Sequence, residues 1–364
     1  MSEFPIGIYS ENESIIGERA RVGDAFRCYY EERGFSATDE IPPYPSPDAT
    51  VKFIGAQISV WKPLIDDIAH GNHPPLITPQ DCIRLQNKDI FYTEDDLRFC
   101  SYFRTQGAIT KASDFNDTVN GAIDFLELLG VSRDRIVVKT SQEQTRLFYT
   151  DIQRLIETED RSYYSWTYGE DDLVGQGITI AINNIHTNVP HDIGNVILVS
   201  RGDEPLVTEW GFGEETLMSA IYSNGPPIIY SNLPSEFIKR LNSQDMYKYA
   251  DALVAAVTMA NLGVALDTRG EGAMLDEYVC ATAYLGLKNK VSYWGILEDF
   301  KNITVHTGAT IEANSDVAHK LEYYIGRVSY SSKLIDEGSP IEYIYDSLHI
   351  SKAMLERLKK GSQK

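Results

Sequence analysis

A polar hairpin pattern over residues 78–107 constrains the fold more than any other segment of this chain. Residues 82–84 end a predicted strand, and residues 86–96 form a polar loop. Residues 98–103 predict a returning strand, whose side chains alternate between two faces of a sheet. The segment therefore predicts two neighbouring strands joined by a polar loop.

The charged and aromatic side chains of this hairpin suit a nucleotide. Arg84 offers a planar, permanently charged fork to a phosphate, and Arg98 supplies a second arginine after the loop. Tyr102 or Phe103 offers a flat surface on which a purine could stack. The same residues would also fit an exposed hairpin with two surface arginines. The neighbouring segments are needed to decide between this interpretation and a nucleotide site.

The order of predicted elements indicates an α+β fold. Because the strands do not alternate cleanly with helices, an antiparallel sheet flanked by helices is favoured over a doubly wound parallel sheet. Proline and glycine concentrate at residues 223–235, so we expect a domain over residues 1–230 and a helical domain over residues 235–364. Helices are predicted at residues 18–33, 115–129, 243–262, 273–287, 315–334 and 341–359, and strands at 135–139, 177–183, 195–200 and 227–230.

The composition of the chain indicates where in the cell we expect it and which partners are unfavourable. The 364 residues carry a net charge of −20, from 33 basic and 53 acidic side chains, and such a chain repels nucleic acid overall. No apolar run approaches the ~20 residues that span a bilayer, and the start of the chain lacks a secretory pattern. We therefore expect a cytoplasmic protein without a membrane partner.

The cysteine and histidine spacings predict no metal site. Four cysteines are scattered without a CxxC pair, which indicates neither a disulfide framework nor a thiolate site. His186 and His191 are five residues apart, whereas two zinc ligands on one helix face lie four apart. A structural or surface role is favoured for both histidines.

Several segments resemble one family in the right order. The hairpin resembles motif 2 of class II aminoacyl-tRNA synthetases, and the chain resembles an alanyl-tRNA synthetase in particular. Residues 48–57, DATVKFIGAQ, with WKP at 61–63, resemble that family's motif 1 region, DPTLLFTNAGMNQFK. Further on, YAD at 249–251, LGV at 262–264 and RGEGAML at 269–275 resemble the signatures ADH, DGV and NRGYVL. The resemblance covers about residues 17–290.

The resemblance implies a class II catalytic domain, a helical domain of the kind that recognises tRNA, and no editing domain. It also implies site residues. Trp166, in SWTYG, stands where FWQMG places a tryptophan beside the amino-acid pocket, although a core role explains it equally well. Asn195 would be a polar contact in that pocket or a structural hydrogen-bonding residue. Glu209 stands where the family's aspartate meets the substrate amino group, and Gly211 and Gly213 keep the glycines of motif 3.

The chain departs from the family where phosphate and tRNA would bind. Thr216 replaces the motif 3 arginine that faces the terminal phosphate of ATP, and Arg104 replaces a motif 2 glutamate. The loop LQNKDIF replaces AGGKHND. Residues 276–286 lack the basic side chains of the family's arginine-rich helix, which argues against tRNA as a partner.

These observations favour an amino-acid ligase. It would activate a small amino acid as its adenylate with ATP and Mg²⁺, with Arg84 as the catalytic residue, and pass it to a small metabolite or carrier protein. A catalytically silent paralogue with a binding or regulatory role is the second hypothesis. A transferase that takes an amino acid from aminoacyl-tRNA is the third. The sequence allows a homo-oligomer and names neither the amino acid nor the acceptor.

Overall fold

The computed structural model describes residues 15–142, 155–158, 160–169, 172–348, 354–356 and 358–359. The chain divides into two units. The sheet unit comprises Met1–Cys82 and Phe103–Ser231, and the helical unit comprises Ile83–Tyr102 and Asn232–Lys364. In the part of the chain that the structure describes, no helix is long and apolar enough to cross a membrane.

Nine described strands form one mixed but mostly antiparallel sheet. Its order is β1-β2-β3-β9-β8-β7-β4-β5, with β6 paired to β7. The pairs β3–β9, β9–β8, β8–β7, β7–β4 and β7–β6 are antiparallel, whereas β1–β2 and β4–β5 are parallel. This confirms the predicted α+β fold with an antiparallel sheet flanked by helices. The strands are β1 Ser36–Ala37, β2 Leu76–Ile83, β3 Tyr102–Lys111, β4 Ile136–Ser141, β5 Leu155–Thr158, β6 Ser165–Thr167, β7 Leu173–Asn183, β8 Pro190–Arg201 and β9 Glu204–Gly213.

Helices pack on both faces of this sheet. On one face α4 buries a stripe of apolar side chains at three- and four-residue spacing, from Phe115 through Val119, Ala122 and Ile123 to Leu126. This stripe belongs to a large core that also includes side chains of α1 and α5. A smaller core on the other face is built around α2 and α3. The helices of the sheet unit are α1 Ile15–Glu31, α2 Ile58–Trp61, α3 Ile65–His70, α4 Phe115–Leu128 and α5 Glu214–Tyr222.

The helical unit contains six further described helices. Two of them begin at serine caps, where the side chains of Ser243 and Ser292 accept hydrogen bonds from the backbone N–H groups of Met246 and Gly295. The helices are α6 Ser235–Ile238, α7 Gln244–Asn261, α8 Gly270–Lys288, α9 Tyr293–His306, α10 Ser315–Asp336 and α11 Ile341–Leu348.

Asp251 of α7 holds the segment 83–102 within the helical unit. Its carboxylate accepts hydrogen bonds from the backbone N–H of Ser101 at 2.7 Å, the Ser101 hydroxyl at 2.6 Å and Asn87 Nδ2 at 2.8 Å. The ring of Phe91 packs edge-on against Tyr278 of α8. Burial raises the pKa of Asp251 from 3.8 to about 6, although the bonds from Ser101 and Asn87 oppose the shift.

Two sequence predictions differ from the structure, one helix was not predicted, and one predicted helix lies partly outside the described residues. Residues 227–230 form a 3-10 turn, not a strand, because Pro226 and Pro227 fix the backbone and remove two N–H donors. The returning strand of the hairpin starts at Tyr102 rather than at residue 98. Helix α9 was not predicted. The last predicted helix, 341–359, is described as helical over Ile341–Leu348, and residues 349–353 and 357 lie outside the described part.

A matched pair of leucines on α4 tests the larger core. Leu126 is 0% exposed and Leu128 is 39% exposed. We expect Leu126→Ala to lower the free energy of unfolding by about 2–5 kcal/mol, because it leaves a cavity. Leu128→Ala should change it by less than about 1 kcal/mol. Urea denaturation of both variants measures the difference, and equal losses would contradict this packing.

Asp251 predicts a pH dependence of stability. The pKa of Asp251 is higher in the folded chain than in the unfolded chain. Its contribution to the free energy of unfolding is therefore fully present below about pH 4 and is lost as the pH rises through about 6. Compared with wild type, Asp251→Asn should flatten the fall in unfolding free energy over that window. Denaturation series at pH 4 and pH 6.5 measure the slope. An unchanged slope in the variant would show that Asp251 does not titrate there.

Candidate functional site

Strand β9 divides its side chains between the two faces of the sheet. Trp210 and Phe212 point into the larger core, and both are almost fully buried. Alternation then places Glu209, Gly211 and Gly213 on the opposite face. A carboxylate and two residues without side chains therefore stand in a row on one face of the central sheet.

More glycines extend this face across the neighbouring strands. Gly107 of β3 pairs with Gly211, and Gly211 pairs on its other side with Asn195 of β8. On β7, Gly177 pairs with Ile197 and Gly175 with Val199, which share the face of Asn195. Glycines of β3, β9 and β7 thus share one face of the sheet with Asn195 of β8, and the side chains of Gln57 and Tyr168 lie next to Gly107 and Gly175. We call this the glycine face.

The polar side chains of the glycine face lie among these glycines. The Thr179 hydroxyl donates a hydrogen bond of 2.8 Å to Asn195 Oδ1, and both side chains stand on this face. Trp166 of β6 pairs with Gly175 and packs, half-buried, against the smaller core. Of the predicted residues, Trp166, Asn195, Glu209 and Gly211 thus share one face of the sheet unit.

Glu209 is held by a tyrosine that the sequence analysis gave no role. The Tyr168 hydroxyl donates a hydrogen bond of 3.0 Å to Glu209 Oε1. Burial, with the nearby Glu209 carboxylate, raises the pKa of Tyr168 well above its ordinary value, so the phenol keeps its proton. Glu209 itself is only 8% exposed. A buried carboxylate with a fixed tyrosine donor suits a cationic partner in a confined space.

Lys62 positions Tyr168 through a small buried network. Its ammonium lies 2.7 Å from Asp48 Oδ2, donates to Thr50 Oγ1 at 2.8 Å and also donates to the Tyr168 carbonyl. Burial opposes ionisation of Asp48, but the bonds from Lys62 and Thr50 outweigh it and hold the pKa of Asp48 below its usual value. The motif 1 region therefore fixes the loop that supplies Tyr168.

A second charged cluster surrounds the end of β9. Arg19 lies 3.2 Å from Glu214 and 2.8 Å from Glu215, and Gln106 Nε2 donates to Glu214 at 2.7 Å. Burial raises the pKa of Glu215 to about 7, with Arg19 opposing the shift. Arg104 lies 2.7 Å from Glu40, 3.0 Å from Asp81 and 3.8 Å from Glu214, and its backbone N–H donates to Glu215 at 3.1 Å.

Thr216 and Phe103 lie at the same end of the strand. A Cβ built on Gly213 would be 3.4 Å from Thr216 Oγ1 and 3.5 Å from a ring carbon of Phe103. Both side chains are buried. The structure therefore brings Phe103 and Gly213 together. It places the Thr216 hydroxyl beside them, at the position where the resembling family has the motif 3 arginine.

The other predicted nucleotide residues belong to the helical unit. Arg84 and Arg98 are exposed, Tyr102 is half-buried, and the Arg84 N–H donates to the Ser101 carbonyl at 2.8 Å. Exposed guanidinium groups are suited to bidentate binding of phosphate.

Gln57, Lys62 and Tyr168 lie within motif-like segments of the sequence, but no role was predicted for them. The structure places all three beside the glycine face or on its supporting network. The motif 1 resemblance marks the segments of Gln57 and Lys62, and the FWQMG resemblance marks that of Tyr168, but neither shows which side chains point toward the sheet. Among the residues that the structure describes, no group of three or more histidine, cysteine, aspartate or glutamate side chains could hold a metal ion.

Comparisons with known proteins find similarity in structure. No family model and no curated protein matches the sequence. A Desulfitobacterium hafniense pyrrolysyl-tRNA synthetase is similar at 9% identity and a TM-score of 0.37, over 58% of this chain and 72% of that one. An S. aureus histidyl-tRNA synthetase is similar at 11% identity and a TM-score of 0.36, over 61% of this chain and 75% of that one.

A third solved structure is a Cryptosporidium parvum prolyl-tRNA synthetase complexed with L-proline and AMP. It is similar at 11% identity and a TM-score of 0.36, over 74% of this chain and 60% of that one. Matches at this identity and TM-score identify no substrate, activity or site residue of this chain.

Proposed function

We propose that this chain is an amino-acid ligase that activates a small amino acid with ATP and passes it to an acceptor other than tRNA. The observation that carries the proposal is Glu209, a buried carboxylate on the glycine face that accepts a hydrogen bond from Tyr168. The ammonium group is the cation that amino acids have in common. A carboxylate held in place by a hydrogen bond binds this group most strongly where water is excluded.

The side chains of the glycine face suit a small ligand. Glu209 would bind the ammonium, while Tyr168 keeps the carboxylate oriented. Trp166 would form a wall, and Asn195, already oriented by Thr179, would supply a polar contact. The glycines let a ligand approach the backbone closely, and the side chains beside them leave room for a short amino-acid side chain rather than a long one.

A carboxylate oxygen of the amino acid would form a bond to the α-phosphorus of ATP. The bond between this phosphorus and the oxygen that bridges to the β-phosphate would break, and pyrophosphate would leave. Arg84 and Arg98, both in the helical unit, have the chemistry to hold phosphate. Phe103 offers an aromatic ring, although it is buried beside Gly213. Mg²⁺ would enter with the phosphates, as is usual for this ion. Positioning and electrostatics suffice without a general base.

The net charge of the chain favours an acceptor that is not a nucleic acid. An amine of a small metabolite or of a carrier protein would attack the activated carbonyl carbon, and AMP would leave. A net charge of −20 repels the phosphates of tRNA, whereas it imposes no such barrier on a neutral or cationic acceptor.

One observation favours a silent paralogue as the second candidate. Thr216 lies where an arginine would meet the terminal phosphate, and the adjacent Glu214 and Glu215 bind Arg19 inside the protein. Because these carboxylates bind Arg19, this arginine cannot take the place of the missing one at a triphosphate. In such a paralogue the glycine face would still bind an amino acid, but pyrophosphate exchange would be absent.

Pyrophosphate exchange tests the role of Glu209. We expect amino-acid-dependent exchange in the wild type and a loss of about 10- to 100-fold in Glu209→Gln, because a charge-assisted hydrogen bond contributes about 1.5–3 kcal/mol. Glu204→Gln is the matched control, since Glu204 is exposed at the start of the same strand. Absence of exchange with every common amino acid would rule out the ligase and leave the silent paralogue.

Calorimetry with Mg-ATP tests the nucleotide residues. We expect Arg84→Gln to weaken binding by about tenfold or more, as removal of a bidentate phosphate contact does. Arg27→Gln should have no effect, because Arg27 is an exposed arginine of α1 paired with Glu31. Equal affinity in wild type and Arg84→Gln would remove Arg84 from the nucleotide site.

A further inference from the structure

The dipeptide Asn–Gly occurs twice in this chain, in two different backbone settings. Asn120–Gly121 lies within helix α4, and Asn224–Gly225 follows the C-terminal end of helix α5. Both asparagines are exposed to solvent. In this dipeptide the side-chain amide is open to attack by the next backbone nitrogen, because glycine has no Cβ that would hinder the approach. The two copies therefore differ in backbone structure and not in exposure.

The backbone nitrogen of Gly225 is available for this attack. Helix α5 is followed by Ser223, whose φ of 52° is left-handed, and Gly225 has a φ of 74°. Gly225 is exposed, and among the described residues no acceptor takes a hydrogen bond from its N–H. A nitrogen in an exposed turn, outside any hydrogen-bonded ladder, is free to turn toward the side chain of the preceding residue.

Tyr230 polarises the peptide group that contains this nitrogen. Its hydroxyl donates a hydrogen bond of 2.9 Å to the carbonyl oxygen of Asn224. The carbonyl and the N–H of a peptide bond share one resonance system, so a donor at the oxygen stabilises the negative charge that forms when the nitrogen loses its proton. Tyr230 is buried, and its ring stacks on that of Tyr222, which keeps the hydroxyl in place.

The helix protects the other copy of the dipeptide. Gly121 lies in the middle of α4, where its N–H belongs to the ladder of bonds to the fourth residue back. Gly121 also faces α1, since a Cβ on it would lie 3.8 Å from the Tyr29 hydroxyl. Attack on Asn120 therefore requires α4 to open, and α4 supplies many side chains of the larger core.

We propose that Asn224 is a site of spontaneous deamidation, assisted by Tyr230. The Gly225 nitrogen bonds to Cγ of Asn224, and the bond between Cγ and the amide nitrogen breaks. The proton of the Gly225 N–H ends on the leaving nitrogen, which departs as ammonia, and a succinimide ring remains. Water then opens the ring at either carbonyl and leaves aspartate or isoaspartate. Each event adds one negative charge, and it does not depend on the proposed ligase activity.

Peptide mapping by mass spectrometry, after incubation of the folded full-length chain in neutral buffer, tests the proposal. We expect deamidation at Asn224 to be at least about tenfold faster than at Asn120, since α4 is open in fewer than about one molecule in ten. Tyr230→Phe should slow the reaction at Asn224 by roughly 2- to 10-fold, as loss of one hydrogen bond does. Tyr222→Phe is the matched control, because the Tyr222 hydroxyl donates to Glu18 instead.

Equal rates at the two asparagines of the folded chain would overturn the proposal. In the chain unfolded by urea, the two rates should become similar. A difference that persists there would overturn the structural explanation, because neighbouring sequence would then set the rates. An unchanged or faster reaction in folded Tyr230→Phe would overturn the assistance by Tyr230. Asn224→Ser should abolish the modification of that peptide, and its persistence would assign the mass change to another residue and overturn the site.

Discussion

The alternation of β9 is the constraint on which the candidate site depends. Trp210 and Phe212 pack into the larger core, with ring contacts between them and onto Phe26 and Phe125. A shift of the strand by one residue would expose these rings and bury Glu209 in an apolar layer. Aromatic burial therefore fixes the register, and the register places a carboxylate and two glycines on the opposite face. The chemistry of that face follows from the packing behind it.

Buried charges in the sheet unit are organised in pairs that also position the backbone. Lys62 neutralises Asp48 and binds the Tyr168 carbonyl, so one ammonium connects the motif 1 region to the loop that supplies the tyrosine. Removing one member would leave the other charge buried and uncompensated, which is far more costly than losing an exposed pair. These pairs therefore contribute to the geometry at Glu209 as well as to stability.

The sequence predicted the parts of this arrangement that depend on local pattern. Helix α4 and strand β7 follow from periodicity, and Glu209, Gly211 and Gly213 follow from the motif 3 resemblance. The position of Gln57 over the sheet was not predicted, because it depends on Gly107, fifty residues away, and no local pattern shows that a glutamine occupies the space of an absent side chain. The segment 83–102 was predicted with the first domain, yet its hydrogen bonds to Asp251 attach it to the helical unit. Such pairings between distant residues are invisible to periodicity.

Near the end of β9, this chain differs from the resembling family at two charged positions and not only by the loss of one arginine. The resembling family has a glutamate in motif 2 and an arginine in motif 3, whereas this chain has Arg104 and Thr216. Arg104 keeps a positive charge in the sheet unit, but Glu40 and Asp81 bind it there. Arg19 in turn is needed by the buried Glu214 and Glu215, which would otherwise be uncompensated. The cations around motif 3 thus stabilise the fold of the sheet unit.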